Sequence, residues 1–364
     1  MGQPGIAYFV TPHGFGHATR ASAVMSACQR AAPGTRFEIF TRVPEWLFAQ
    51  SLDGPFGYHE LQTDIGLAQR DALHEDIGET LRRLDAFLPF DSAMVQRTAQ
   101  EMHELNCNLV ICDIAPLGIA VARAAGLPSL LVENFTWDWI YEGYLAQEPR
   151  LQQHIDYLRD VFTSATYHVQ TEPVCVHRSG NMLAPPVSRA SHEPASRMRE
   201  RLGITMQRPL VLITMGGLSV SDTPSFSAQL AAHPDVTFLI PGGDGDQLYS
   251  EGHIIHLPHH SAFYHPDLVN ASDALVGKTG YSTVAEAYHA GVPYGYVSRP
   301  HFPESGVMAS YIQAHMRGLS FEEQEFRSGA WLARLPELLE LGRIARHEPN
   351  GAEQVAGFVS TLFR

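Results

Sequence analysis

No stretch of this sequence approaches the roughly 18–20 consecutive apolar residues of a membrane helix, and no basic-then-apolar leader opens it. Integral membrane contact is therefore not expected, and the expected location is cytoplasmic. Cysteine is scarce. Cys28, Cys107, Cys112 and Cys175 have no metal-ligand spacing and mostly apolar neighbours, and they read as buried free thiols in a reducing compartment. Excess positive charge is missing as well. With 25 Lys and Arg against 39 Asp and Glu, the formal net charge of −14 argues against nucleic acid or an anionic membrane surface as the main partner. That total still leaves room for a local basic site. Internal repeats, low-complexity tracts and the G-x-x-x-x-G-K-[ST] spacing of a Walker loop are also absent.

What is present is an ordinary globular composition, 45% hydrophobic and 18% charged, on a chain of 364 residues that exceeds one typical core. Short apolar runs alternate with helical patterns. In the first half the runs fall at 6–10, 36–41, 109–112, 129–132 and 165–169; in the second they fall at 210–214, 236–240, 254–256, 274–276 and 294–297. Strands alternating with helices predict parallel sheets covered on both faces. The expected fold class is α/β, with two doubly wound Rossmann-like domains, 1–185 and 186–364, facing across a cleft. The stretch 181–191, with Pro185 and Pro186, is the expected linker, and the last helix is expected to pack back on the first domain.

Ligands in such sheets bind outside the carboxyl ends of the strands. At one such end lies G-K-T-G-Y-S-T-V-A-E-A, residues 277–287. A strand, a glycine turn and a helix start make an anion cradle, because unpaired amides and the positive end of the helix dipole converge there. Glu286, inside the helix, adds a carboxylate suited to ribose hydroxyls. The alternative is an ordinary α/β turn with a glycine cap. A second glycine turn, T-M-G-G-L-S, follows 210–214, and Gly216 and Gly217 permit close backbone approach to a phosphate.

At the first strand end stands T-P-H-G-F-G-H-A-T-R, residues 11–20. His17, at the helix start, has the pKa range to take a proton from an acceptor hydroxyl, and His13 can do so from the loop. Capping or backbone binding is the alternative for both. Asp113 ends an apolar strand, where it can meet a histidine of the same sheet or cap the helix that follows. The histidines 253, 256, 259, 260 and 265 are interrupted by Pro258 and Ser261, so no helical metal pair emerges and no metal site is expected. A loop closing over a base or sugar fits them better.

Four segments carry a family resemblance: H-G-F-G-H-A-T-R, C-D-I-A-P-L-G-I-A-V-A-R-A-A-G-L-P-S, N-F-T-W-D-W-I-Y and A-S-D-A-L-V-G-K-T-G-Y-S-T-V-A-E-A. In this order the chain, from about residue 6 to 343, resembles the glycosyltransferase-like half of plant L-arabinokinase and its free-standing bacterial relatives. More distantly it resembles UDP-glycosyltransferases and the lipid II-forming N-acetylglucosaminyltransferase. The resemblance implies the GT-B architecture, with the acceptor held mainly by the first domain and the nucleotide-sugar donor mainly by the second. It implies His17 as general base and Asp113 as its orienting partner. Gly216, Gly217, Thr279, Gly280, Tyr281 and Ser282 would hold the diphosphate, Glu286 the ribose and Glu304 the donor sugar. The base loop would lie at His260 and Ser261. The resemblance covers no sugar-kinase half, so sugar phosphorylation is not implied.

The expected function is an inverting, metal-independent glycosyltransferase that uses a nucleotide diphosphate sugar, a UDP-sugar by resemblance, as co-substrate and needs no cofactor. The acceptor is a hydroxyl-bearing small molecule or glycan. His13, Trp137 and Trp139 are its candidate contacts, since an aromatic patch can stack on a sugar, although packing between domains would explain the patch equally. Two rivals stay open: a sugar-nucleotide epimerase or hydrolase, and a non-catalytic nucleotide-sugar sensor or partner domain.

Overall fold

The alternating runs become two seven-stranded sheets in a computed structural model that describes residues 5–215, 224–243 and 247–363. The first sheet comprises β1 (Gly5–Val10), β2 (Arg36–Thr41), β3 (Phe56–Glu60), β4 (Cys107–Asp113), β5 (Ser129–Glu133), β6 (Tyr167–Thr171) and β7 (Met182–Ala184). Its order is 3-2-1-4-5-6-7, and every pairing is parallel. The second comprises β8 (Leu210–Thr214), β9 (Thr237–Gly243), β10 (Tyr249–Glu251), β11 (Ile254–Pro258), β12 (Ala274–Lys278), β13 (Tyr294–Val297) and β14 (Gly318–Phe321). Its order is 10-11-9-8-12-13-14, with only the exposed β10 antiparallel among the pairings described.

The central strands read as continuous apolar runs because both faces are covered: β1 and β8 are buried along their whole length. The strands missed from sequence are β3, β7, β10 and β14. They are short and mostly half-exposed or exposed, so they lack such a run. β6 begins two residues later than the apolar pattern suggested, and β7 forms inside the stretch expected to be linker.

Strand order reverses between β1 and β4 in one sheet and between β8 and β12 in the other. A crevice opens at each reversal, because the helices leaving neighbouring strands turn to opposite faces. The helix Phe15–Ala31, leaving β1, packs Ala18, Ala21, Val24 and Met25 into a core shared with Ala352, Val355, Ala356 and Val359 of the C-terminal helix Gly351–Thr361. The alanines let these helices approach closely. A further tie runs the other way: Leu73, from the loop after β3, is buried in the core of the second sheet with Val211, Ile213 and Trp331. Beside it Glu75 makes a buried ion pair with Arg299.

Candidate functional site

The carboxyl ends of both sheets face one cleft of about 520 Å³. After β1 the chain turns at Gly14, whose φ of 71° suits a residue without Cβ, and the helix Phe15–Ala31 begins with no side-chain cap. The helix Tyr281–Ala290 begins after Gly280, likewise uncapped. Two helix starts without a side-chain cap among the described residues therefore line one cavity, an arrangement that favours a bound anion. The strand β12 that leads to the second helix needs glycine near its end. A Cβ on Gly277 would collide with the Thr214 carbonyl oxygen of the neighbouring strand β8.

His17 lies in the first turn of its helix and lines the cleft, with the fully buried Asp113 behind it. Its Nδ1 is 3.2 Å from Asp113 Oδ1, so in the neutral ring Nδ1–H donates to the carboxylate and the Nε2 lone pair is left for a substrate. Burial is the main cause that lowers the His17 pKa from 6.5, against the raising influence of Asp113. Asp113 is held below the ordinary carboxylate range. Burial, the largest single influence, pushes it up, but Arg20 outweighs this with help from His17. Arg20 sits one turn after His17 and lays a fork on Asp113, with Nε 2.8 Å from Oδ2 and Nη2 2.6 Å from Oδ1.

His13 also lines the cleft, with the opposite tautomer. Its Nδ1 accepts the Leu67 N–H at 3.3 Å, which leaves Nε2 carrying the hydrogen. Burial pushes its pKa well below the ordinary value. His13 therefore offers a hydrogen-bond donor where His17 offers an acceptor.

On the second domain, Thr279 and Gly280 line the cleft, and the buried Thr279 Oγ1 has no partner among the described residues. Ser282 is committed otherwise. Its hydroxyl donates to the Gly16 carbonyl at 2.7 Å and accepts from Thr19 at 2.8 Å, so in this arrangement its hydrogen is not free for a phosphate. The Tyr281 hydroxyl accepts from the Val187 N–H at 3.1 Å, leaving its backbone amide as the group available to a ligand. Gly216 and Gly217 lie outside the described residues. Glu286 faces the cleft but is held by Arg189, whose Nε is 3.0 Å from Oε1, and by His265, whose Nδ1 is 2.7 Å from Oε2. Glu304 lines the same cavity, buried, with its pKa raised by burial.

Three expectations are corrected. Trp137 is fully buried in the first core, edge-on to His13 and Phe135, and Trp139 packs against that core, so neither belongs to the cleft lining. Of the expected base-loop pair, Ser261 lines the cavity together with His259, while His260 stacks on Trp46 at a ring separation of 4.6 Å. Sequence reasoning also gave no role to Arg20, Asn134 or Arg189. Lys278 lines the cleft with its pKa lowered to about 8, chiefly by burial. Among the described residues, no group of three His, Cys, Asp or Glu is placed to hold a metal ion, and no helix is long and apolar enough to cross a membrane.

No protein-family model matches the chain. Over 355 residues, 96% of its length, it is 26% identical to the L-arabinokinase of Arabidopsis thaliana, and it spans only 33% of that relative. Among solved structures it superposes on the spinosyn forosaminyltransferase SpnP with a TM-score of 0.62 at 13% identity, covering 99% of both chains. A UDP-glucosyltransferase from Polygonum tinctorium gives a TM-score of 0.60 at 15% identity, covering 99% of this chain and 98% of that one. The fold is GT-B, two Rossmann-like domains facing across a cleft.

Proposed function

We propose that the protein is an inverting glycosyltransferase that moves a sugar from a nucleotide diphosphate sugar to an acceptor hydroxyl without a metal ion. The observation that carries this reading is the pairing of a base and an anion cradle across one cavity. His17, neutral and backed by Asp113, faces the cleft that the uncapped Tyr281 helix also faces. The transferase names of the structural neighbours support it.

In this mechanism the acceptor oxygen attacks the anomeric carbon as Nε2 of His17 takes its proton. Asp113 stabilises the imidazolium that forms. The bond from the anomeric carbon to the diphosphate oxygen breaks, and the nucleoside diphosphate leaves with the electron pair. Its charge is met by the first amides of the Tyr281 helix and by the Lys278 ammonium, groups already in place before reaction. Attack opposite the leaving group inverts the anomeric centre. Glu286 would hold the ribose and Glu304 the donor sugar, with a UDP-sugar the first donor to try.

The test is incubation with nucleotide sugars and hydroxyl acceptors, with products followed by NMR. The expected result is acceptor-dependent release of nucleoside diphosphate with an inverted anomeric linkage. Retention would overturn the mechanism. Conversion of the donor with no acceptor present would favour an epimerase or hydrolase.

A further inference from the structure

Arg20 lies buried behind the cleft lining, and the proton transfer from acceptor to His17 makes no direct use of it. It is buried and belongs to the first domain, yet its guanidinium lies 4.6 Å over the ring of Tyr281 in the second. Besides its fork on Asp113, Nη2 lies 3.3 Å from His17 Nδ1 and Nη1 donates to Asn134 Oδ1 at 2.6 Å. Asn134, fully buried at the end of β5, passes the contact on: its Nδ2 donates to Glu304 Oε1 at 2.7 Å. Glu304 stands in the first turn of the helix Pro303–His315, on the second domain. One unbroken run of hydrogen bonds thus leads from His17 through Asp113, Arg20 and Asn134 to Glu304.

The amide of Asn134 suits this position. Its oxygen can only accept, which matches the guanidinium, and its nitrogen can only donate, which matches a carboxylate. Arg20 likewise suits its own. A planar fork fixes both oxygens of Asp113, which a lysine would meet only as a point charge.

We propose that Arg20 and Asn134 are positioning residues, forming a strut that aligns the His17–Asp113 pair with Glu304 across the cleft. The idea rests on the glycosyltransferase reading for the roles of His17 and Glu304. The strut has two effects. Arg20 shares the charge of Asp113, so the carboxylate orients His17 without drawing a proton onto it. Asn134 ties the placement of Glu304 to that of the base, so donor sugar and base are set together when the two domains stand as they do here.

Other titratable groups surround the pair. Tyr8 and Asp64 face Asp113, and His13 faces His17 from the preceding turn. Tyr281 lies against Arg20, while Lys278 and Arg299 face Glu304. None of them bridges Asp113 to Glu304.

The test combines NMR titration of labelled histidines with steady-state kinetics, on Arg20→Gln, Arg20→Lys and Asn134→Ala. In Arg20→Gln the His17 titration should move upward, because a cation is lost and Asp113 turns wholly to the imidazole. Arg20→Lys should restore it in large part. A His17 titration unmoved in Arg20→Gln overturns the strut whether or not transfer is ever seen, which separates this failure from failure of the glycosyltransferase reading. Asn134→Ala keeps the Arg20–Asp113 pair and guards against a Gln variant that does not fold. It should leave the His17 titration in place while kcat/KM for the donor falls about tenfold or more. Unchanged donor kinetics in folded Asn134→Ala would overturn the strut, as would a His17 titration that moves with it.

Discussion

His17 Nδ1 stands 3.2 Å from Asp113 Oδ1, and burial holds the imidazole pKa below its ordinary value of 6.5. The base is therefore already neutral under mildly acidic conditions. The acid limb of kcat/KM should fall below about pH 6.5, the ordinary histidine range. His17→Ala should lower turnover by about 10²–10⁴-fold while donor affinity stays within a few-fold, read by initial rates and titration calorimetry. Unchanged turnover would remove His17 from the base role.

Glu286 is held between Arg189 and His265 at 3.0 and 2.7 Å. Its ribose role and its structural role make separate predictions. Glu286→Ala should weaken nucleotide binding, and it should also destabilise the fold by about 3 kcal/mol, since a buried arginine loses its partner. Calorimetry reads the first effect and urea denaturation the second. Unaltered affinity rejects the ribose role even if stability falls.

Asp64 gives a pH dependence of known sign. Burial raises its pKa from 3.8 to about 7, despite a hydrogen bond from Thr11 at 2.7 Å. The folded state thus holds a proton that the unfolded chain releases earlier, and this contribution to stability is lost as pH rises from about 4 to 7. His17 has the opposite sign, because its folded pKa is depressed: its contribution is full above about pH 6.5 and is lost on acidification. Asp64→Asn should accordingly stabilise the protein at pH 8 by an amount on the order of a few kcal/mol, and much less at pH 4. Denaturation midpoints at the two pH values check it; equal gains at both would contradict the assignment.

Gly277 tests the packing beneath the donor turn. A Cβ there meets the Thr214 carbonyl oxygen, and backbone cannot swing aside as a side chain does. Gly277→Ala should cost about 1–3 kcal/mol or more and displace the Thr279–Gly280 turn, with a matching loss of nucleotide affinity. Wild-type stability would show that the strands part more easily than this spacing implies.

The residues legible in the sequence are those at the ends of apolar strands. Asp113 and Thr279 follow runs buried on both faces, and His17 follows a glycine turn, so their positions could be read without contacts. Arg20 could not be singled out in that way. Its partner Asp113 is 93 residues away, and one arginine on a helix usually means only a solvated face. Asn134 and Arg189 are similarly silent, because their roles exist only once distant elements meet. Aromatic residues misled for a different reason. A ligand platform and a core look alike in one dimension, and Trp137 belongs to the core. His259 and His260 sit in a loop, where no periodicity fixes which side chain turns inward.

The most direct test of the central claim is a denaturation series with UDP-, GDP-, dTDP- and ADP-sugars, alongside free nucleotides and free sugars. One nucleotide sugar, present at 100 times its dissociation constant, should stabilise the protein by about 2.7 kcal/mol, and its free nucleotide should reproduce part of that gain. Stabilisation by none of them would contradict a donor site at the Tyr281 helix.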